Sequence, residues 1–82
     1  MSRGSRLWLV RWRVLSGTAV CAILSAHGFR EVRRKGSHIV MQLQIEGGTR
    51  TVVIPDHREV ATGTLASIAR QAGIGREPFE SP

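Results

Sequence analysis

His38-Ile39-Val40-Met41-Gln42-Leu43-Gln44-Ile45 alternates between two kinds of side chain. Ile39, Met41, Leu43 and Ile45 fall on one side, while His38, Val40, Gln42 and Gln44 fall on the other, the period of two that marks a half-buried strand. His38 belongs to the more polar side. After this strand, Gly47-Gly48 offers a two-residue hairpin connection, and Arg50-Thr51-Val52-Val53-Ile54 is β-branched enough to form the returning strand, which Pro55 ends. Before it, Lys35-Gly36 offers a tight turn. Phe29-Arg30-Glu31-Val32-Arg33-Arg34 is short, charged and poorly alternating, as suits an edge strand whose charges deter unwanted pairing.

Helical patterns flank this meander. On the amino-terminal side Ser16 is a candidate N-cap, Val20, Ile23, Leu24 and His27 recur at i, i+3, i+4 and i+7, and Gly28 supplies a left-handed residue after a helix over 17–27. On the other side Asp56 to Ala61 reads as a polar loop. Leu65, Ile68, Ala69 and Ala72 then mark a second amphipathic helix stopped by Gly73, with Thr62 or Thr64 as its cap. The order is α-β-β-β-α, an α+β domain in which two helices cover one face of a three-stranded antiparallel sheet and leave the other face open. Gly75 to Pro82 is expected to fray unless Phe79 docks on the core.

The whole chain has 82 residues, of which 41% are hydrophobic and 22% charged, enough for one small domain and too little for a deep enclosed substrate cavity. A chain this short buries only roughly 60% of the surface that its unfolded form exposes. Twelve basic residues against six acidic ones favour an anionic partner, nucleic acid or an acidic protein. The excess is amino-terminal and central: residues 1–13 hold four arginines and no acid, whereas residues 55–82 hold more acids than bases. In Leu7-Trp8-Leu9-Val10-Arg11-Trp12-Arg13 the plainer reading, a flexible arm, stands ahead of an arm whose Trp8 and Trp12 stack on RNA or touch a membrane surface. The basic start followed by Val14–Ala26 and Ala26-His27-Gly28 is signal-like, but Ser16-Gly17-Thr18 interrupts it and cleavage there would remove a helix that the rest needs. No run reaches the roughly 18 apolar residues of a membrane span. A single cysteine, Cys21, fits a reducing cytosol and a small hydrophobe in the fold, and the expected location is cytoplasmic.

Several chemistries are set aside. His27, His38, His57 and Cys21 lack the short pair spacings of a metal site, and no nucleophile elbow accompanies any serine. Four aromatic residues without a tyrosine do not make the stacking platform of single-strand RNA modules, so shape and phosphate contacts are expected to dominate any RNA binding. His27 sits in the last turn of the first helix, suited to the negative end of its dipole, and His57 follows Pro55-Asp56 in a loop. His38 stands out, close to Arg33, Arg34 and Lys35 on the face that the alternation leaves uncovered.

Leu15-Ser16-Gly17, Gly28-Phe29, Arg34-Lys35-Gly36-Ser37-His38, Val52-Val53-Ile54-Pro55-Asp56-His57, and Gly63-Thr64-Leu65 with Ile68 and Arg70-Gln71-Ala72-Gly73 form an ordered series. Together they resemble the HicA-type toxins of bacterial toxin–antitoxin systems over about residues 14–79, with 1–13 a basic extension and 80–82 a tail. The resemblance implies a fold like that of double-stranded-RNA-binding domains, a ribosome-independent mRNA endonuclease activity that inhibits translation, a catalytic histidine at His38, and a HicB-like antitoxin as partner. RNA carries its own nucleophile, the 2′-hydroxyl, so one group that moves protons near neutral pH and several cations suffice in principle without metal or cofactor. His38 is the expected base or acid. Arg33, Arg34, Lys35 and Arg50 are expected at phosphates, Gly36 where backbone approaches RNA, and Ser37 as an orienting hydroxyl, while His57 is a candidate auxiliary whose part in moving the complementary proton stays open. The alternative is a non-catalytic double-stranded-RNA-binding module in which His38 is incidental.

Overall fold

Ser16 opens the first helix as its hydroxyl permits: Oγ accepts the Ala19 N–H at 3.0 Å, and α1 runs over Gly17–Ala26. In the computed structural model, which describes residues 11–81, α1 ends on Gly28 at φ +94°. Phe29 N–H reaches back to the Leu24 carbonyl at 3.0 Å and Gly28 N–H to that of Ser25 at 3.0 Å, so the carbonyls of the last turn are satisfied as in a Schellman motif. His27 is the C-cap rather than the last helical residue.

The meander follows as β2 (Arg30–Lys35), β3 (His38–Ile45) and β4 (Gly48–Pro55), with a two-residue β1 (Arg11–Trp12) preceding α1. The sheet order is β2-β3-β4, antiparallel throughout. Both turns lie one residue away from the expected pairs. Lys35 pairs with His38, so Gly36-Ser37 is the first turn, with Gly36 at φ +58° in the first central position of a II′ hairpin. Ile45 pairs with Gly48, so the second is Glu46-Gly47 and its left-handed residue is Gly47 at φ +85°. In β2 a bulge between Glu31 and Arg33 leaves Val32 without a partner.

The second helix, α2 (Thr62–Ala72), starts without a side-chain cap: Ala61 holds the N-cap position, and neither Thr62 nor Thr64 fills it. The reason is the preceding residue. Val60, in what the sequence reads as a polar loop, is buried, and its N–H donates to the Leu15 carbonyl at 2.8 Å, so tertiary contact fixes the start of α2. Gly73 closes α2 in the left-handed region at φ +71°.

Both helices lie on one face of the sheet. Val20 and Leu24 of α1, Leu65, Ile68, Ala69 and Ala72 of α2, and Ile39, Met41, Val52 and Ile54 of the sheet share one core. Each large side chain so buried is worth about 1.5–3 kcal/mol. Along β3 the apolar side keeps its expected direction, but cover fades from Ile39 and Met41 to half-buried Leu43 and exposed Ile45. Phe79 docks fully, at the end of a 3₁₀ turn over Glu77–Phe79, and the segment expected to fray continues into β5 (Glu80–Ser81), which pairs with β1. Trp12 therefore packs against the core with the Arg76 guanidinium 5.7 Å from its ring, and is not a free stacking group. Trp8 lies outside the described residues.

Gly17 has no room for a side chain: a Cβ would collide with the Pro55 carbonyl oxygen and lie 2.9 Å from Asp56 Cα, both backbone. Gly17→Ala is expected to cost about 2 kcal/mol or more, lowering the melting temperature by about 10 °C, because neither atom can move aside cheaply. Gly63 in the first turn of α2 meets nothing within 4 Å. Gly63→Ala is expected to raise stability by about 0.5 kcal/mol or more, and thermal unfolding of the pair reads both signs.

Candidate functional site

Cross-strand partners in an antiparallel sheet share a face, so the register sorts the charges. Lys35 pairs with His38 and His38 with Pro55; Arg33 pairs with Val40 and Val40 with Val53; Arg30 pairs with Gln42 and Gln42 with Thr51. These three rungs lie on the face away from the helices. Arg33, Lys35, Gly36, Ser37, His38 and Val40 line one open depression of about 680 Å³. Its size falls among ligand sites, but it is open along the surface, which suits a length of polymer better than an enclosed small molecule. His38 is exposed, on the first residue of β3 directly after the Gly36-Ser37 turn.

Two expected partners of His38 lie elsewhere. Arg34 pairs with Ile39, a core residue, and so faces the helix side. There its Nη1 bonds Asp56 Oδ2 at 2.7 Å and its Nε lies 3.5 Å from Glu31 Oε2. With side chains 45% and 36% exposed, the Arg34–Asp56 pair is worth less than about 1 kcal/mol. Arg50 pairs with Leu43 on the same helix side, its Nη1 donating to the Gln71 carbonyl at 3.2 Å near the end of α2. It serves a helix terminus. His57 is exposed and does not line the depression; its carbonyl accepts the Gly17 N–H at 2.9 Å. His27 Nδ1 lies 3.0 Å from the Ile23 carbonyl oxygen, which can only accept, so that ring nitrogen donates within the helix end.

The sequence reading missed Arg30, and it missed Val40 as an apolar group lining the depression with Val53 as its cross-strand partner. Arg30 reaches the open face together with Arg33 and Lys35 because of the bulge at Val32, and a bulge leaves no residue-type signature in a charged strand. Val40 is 7% exposed although it lies on the face away from both described helices.

A family model described as the HicA toxin of bacterial toxin–antitoxin matches residues 17–74. The chain belongs to the HicA toxin family. The HicA match spans both helices and the entire three-stranded sheet, and β1, Phe79 and β5 lie outside it. No curated protein sequence matches the chain. Membership in the HicA family implies an antitoxin partner. No helix among the described residues is long and apolar enough to cross a membrane.

Cys21 of this HicA-family domain is half-buried on α1. Burial pushes its thiol above the ordinary range, Glu31 and Asp56 push the same way, and Arg34 opposes them. The folded state thus keeps the thiol protonated to higher pH than the unfolded chain does. Its contribution to stability is whole below the unfolded thiol's titration and is lost as pH rises from there through the folded thiol's higher one. Near pH 8.5, alkylation of Cys21 is expected to lag several-fold behind that of the guanidinium-unfolded chain.

The two sides of the sheet also separate by mutation. Arg50→Ala is expected to lower stability by about 1 kcal/mol through the lost bond to Gln71. Arg33→Ala and Lys35→Ala are expected to stay within about 0.5 kcal/mol of wild type in the same denaturant titration.

Proposed function

We propose that this chain is the toxin of a toxin–antitoxin pair and acts as an endoribonuclease that cleaves mRNA without the ribosome, inhibiting translation and growth in the cytoplasm. The observation that carries the reading is the depression on the open sheet face, where His38 and Ser37 meet Arg33 and Lys35 in a HicA-family domain. Arg30 extends the row of cations along β2. Such a row favours the phosphates of a nucleic acid, and its contribution weakens as salt rises.

The reaction needs little more. The RNA 2′-oxygen attacks the adjacent phosphorus, the bond from phosphorus to the 5′-oxygen breaks, and the strand ends as a 2′,3′-cyclic phosphate and a 5′-hydroxyl. One proton leaves the 2′-hydroxyl and one arrives at the 5′-oxygen, so no oxidant or external reactant is consumed. His38 takes or gives one of these protons as general base or acid. Arg33 and Lys35 offset charge on the phosphorane oxygens. Gly36, whose absent side chain leaves open space, lets the turn approach the backbone of the RNA, and Ser37 orients a phosphate or the imidazole. His57 lies outside the lining of the depression, and cleavage by His57→Ala at the wild-type rate would remove it as the carrier of the complementary proton. Arg34 and Arg50 act through the fold.

A HicB-like antitoxin would silence this chemistry by covering the His38 face, and an acidic surface on it would speed capture. The double-stranded-RNA-binding module remains the competing reading, on the α-β-β-β-α order alone. Tightly induced expression in a bacterium decides between them. Wild type is expected to arrest growth and fragment several mRNAs, whereas His38→Ala, equally soluble, leaves both intact. Arg33→Ala and Lys35→Ala are expected to slow cleavage at least about tenfold, as loss of a transition-state charge contact does. RNA left whole by soluble wild type would sink the nuclease.

A further inference from the structure

The open face is not uniform. Along β2 it carries Arg30, Arg33 and Lys35, whereas along β4 the residues that share this face are Thr49, Thr51, Val53 and Pro55, none of them charged. Within that row Val53 is 47% exposed, beside Val40 and one rung from His38 and Pro55. The fold does not require an aliphatic group there: Val53 points away from the helices, and threonine, used at the two preceding positions of the row, Thr49 and Thr51, is an equally good strand former. Exposed Val53 and half-buried Pro55, with buried Val40 beside them, thus make an apolar shelf next to the imidazole, about 7 Å separating neighbouring rungs. Beyond it Gln42 Nε2 donates to Thr51 Oγ1 at 3.3 Å, and both side chains retain capacity for further hydrogen bonds.

We propose that RNA crosses this face as a single strand, its phosphates along β2 and the base next to the reacting phosphate lying on the Val40–Val53–Pro55 shelf, with Gln42 and Thr51 meeting the edge of the following base. The inference rests on the RNA-cleaving reading above and names the substrate geometry at the same site. Charge decides the orientation. Phosphates are drawn to the cationic edge, and the flat, neutral face of a base is drawn to the uncharged one. A duplex fits poorly, because its bases are stacked inward and would leave Val53 facing charged backbone. An aliphatic shelf shields one face of a base without the pull of an aromatic ring. Selectivity among bases then falls to the Gln42–Thr51 pair rather than to stacking.

Binding tests this separately from cleavage. The full-length His38→Ala protein is titrated with a short labelled single-stranded RNA, with an abasic strand carrying the same number of phosphates, and with a duplex of equal length. The base-bearing strand is expected to bind about fivefold tighter than the abasic one, less than an aromatic platform would give. Adding Val53→Thr, which keeps the β-branched shape, is expected to remove most of that difference while leaving the melting temperature and the salt dependence unchanged. Arg33→Ala should instead weaken both strands alike and flatten the salt dependence. Equal affinity for base-bearing and abasic strands, tighter binding of the duplex, or indifference to Val53→Thr overturns the shelf even if wild type fragments mRNA. Base-dependent binding without fragmentation by wild type keeps the shelf and removes the nuclease.

Discussion

The close approach of Gly17 to Pro55 and Asp56 holds the rest of the molecule in register. At this point the start of α1, the end of β4 and the turn before β3 are tied by main chain alone: Gly17 N–H donates to the His57 carbonyl at 2.9 Å, and Asp56 N–H to that of Ser37 at 2.7 Å. The second of these bonds holds the turn that precedes His38. Arg34 grips the Asp56 carboxylate from β2, adding a side-chain tie to the same segment. A side chain at position 17 would push the helix off the strand and loosen the turn with it. The Ser16-Gly17 and Pro55-Asp56-His57 motifs, distant in sequence, are therefore two halves of one contact, and His57 contributes a carbonyl to it.

That contact explains what was legible from residue types. The helices and the central strand could be read because their periods are set by the core: Val20 with Leu24, Leu65 with Ile68, and Ile39 with Met41 are buried as their spacing requires. The Ser16 cap and the left-handed Gly28 and Gly73 are local chemistry, visible in any short window. What depends on distant partners was not visible. Val60 looks like a loop residue until Leu15 accepts its N–H, and Arg50 looks like a phosphate ligand until Gln71 appears beneath it. Of the expected phosphate contacts, Arg33 and Lys35 accompany His38, Gly36 and Ser37, whereas Arg34 and Arg50 turn toward the helices.

The core also extends beyond the part that defines the family. Phe79 is fully buried yet follows the matched region, and Arg13 precedes it; the Arg13 N–H donates to the Phe79 carbonyl at 2.8 Å and its Nη1 to that of Pro78 at 3.1 Å. Arg76 joins the same cluster by lying over Trp12 and pairing with Glu80 at 3.3 Å. A domain of this size has little apolar surface to spare, and an aromatic side chain of this kind is worth about 3–5 kcal/mol when buried. Residues 11–13 thus join the domain through β5 and the 3₁₀ turn: Arg13 is engaged by the Pro78 carbonyl, and Trp12 receives the Arg76 guanidinium over its ring.

One unpaired residue decides which cations meet His38. Before the bulge Arg30 faces away from the helices; with strict alternation Val32 and Arg34 would follow it onto that face, and Arg33 and Lys35 would turn toward the core side. The bulge at Val32 reverses the parity. Arg33 and Lys35 come to the open face beside Val40 and His38, while Arg34 swings to the helix side, where Asp56 waits for it. The same irregularity therefore does two things at once: it builds the cationic edge of the depression and supplies the arginine that steadies the segment behind the Ser37 turn. A strand of alternating perfection would have turned Arg33 and Lys35, the two cations of the depression, away from His38, so the poor alternation of residues 29–34 is the part of β2 on which the site depends.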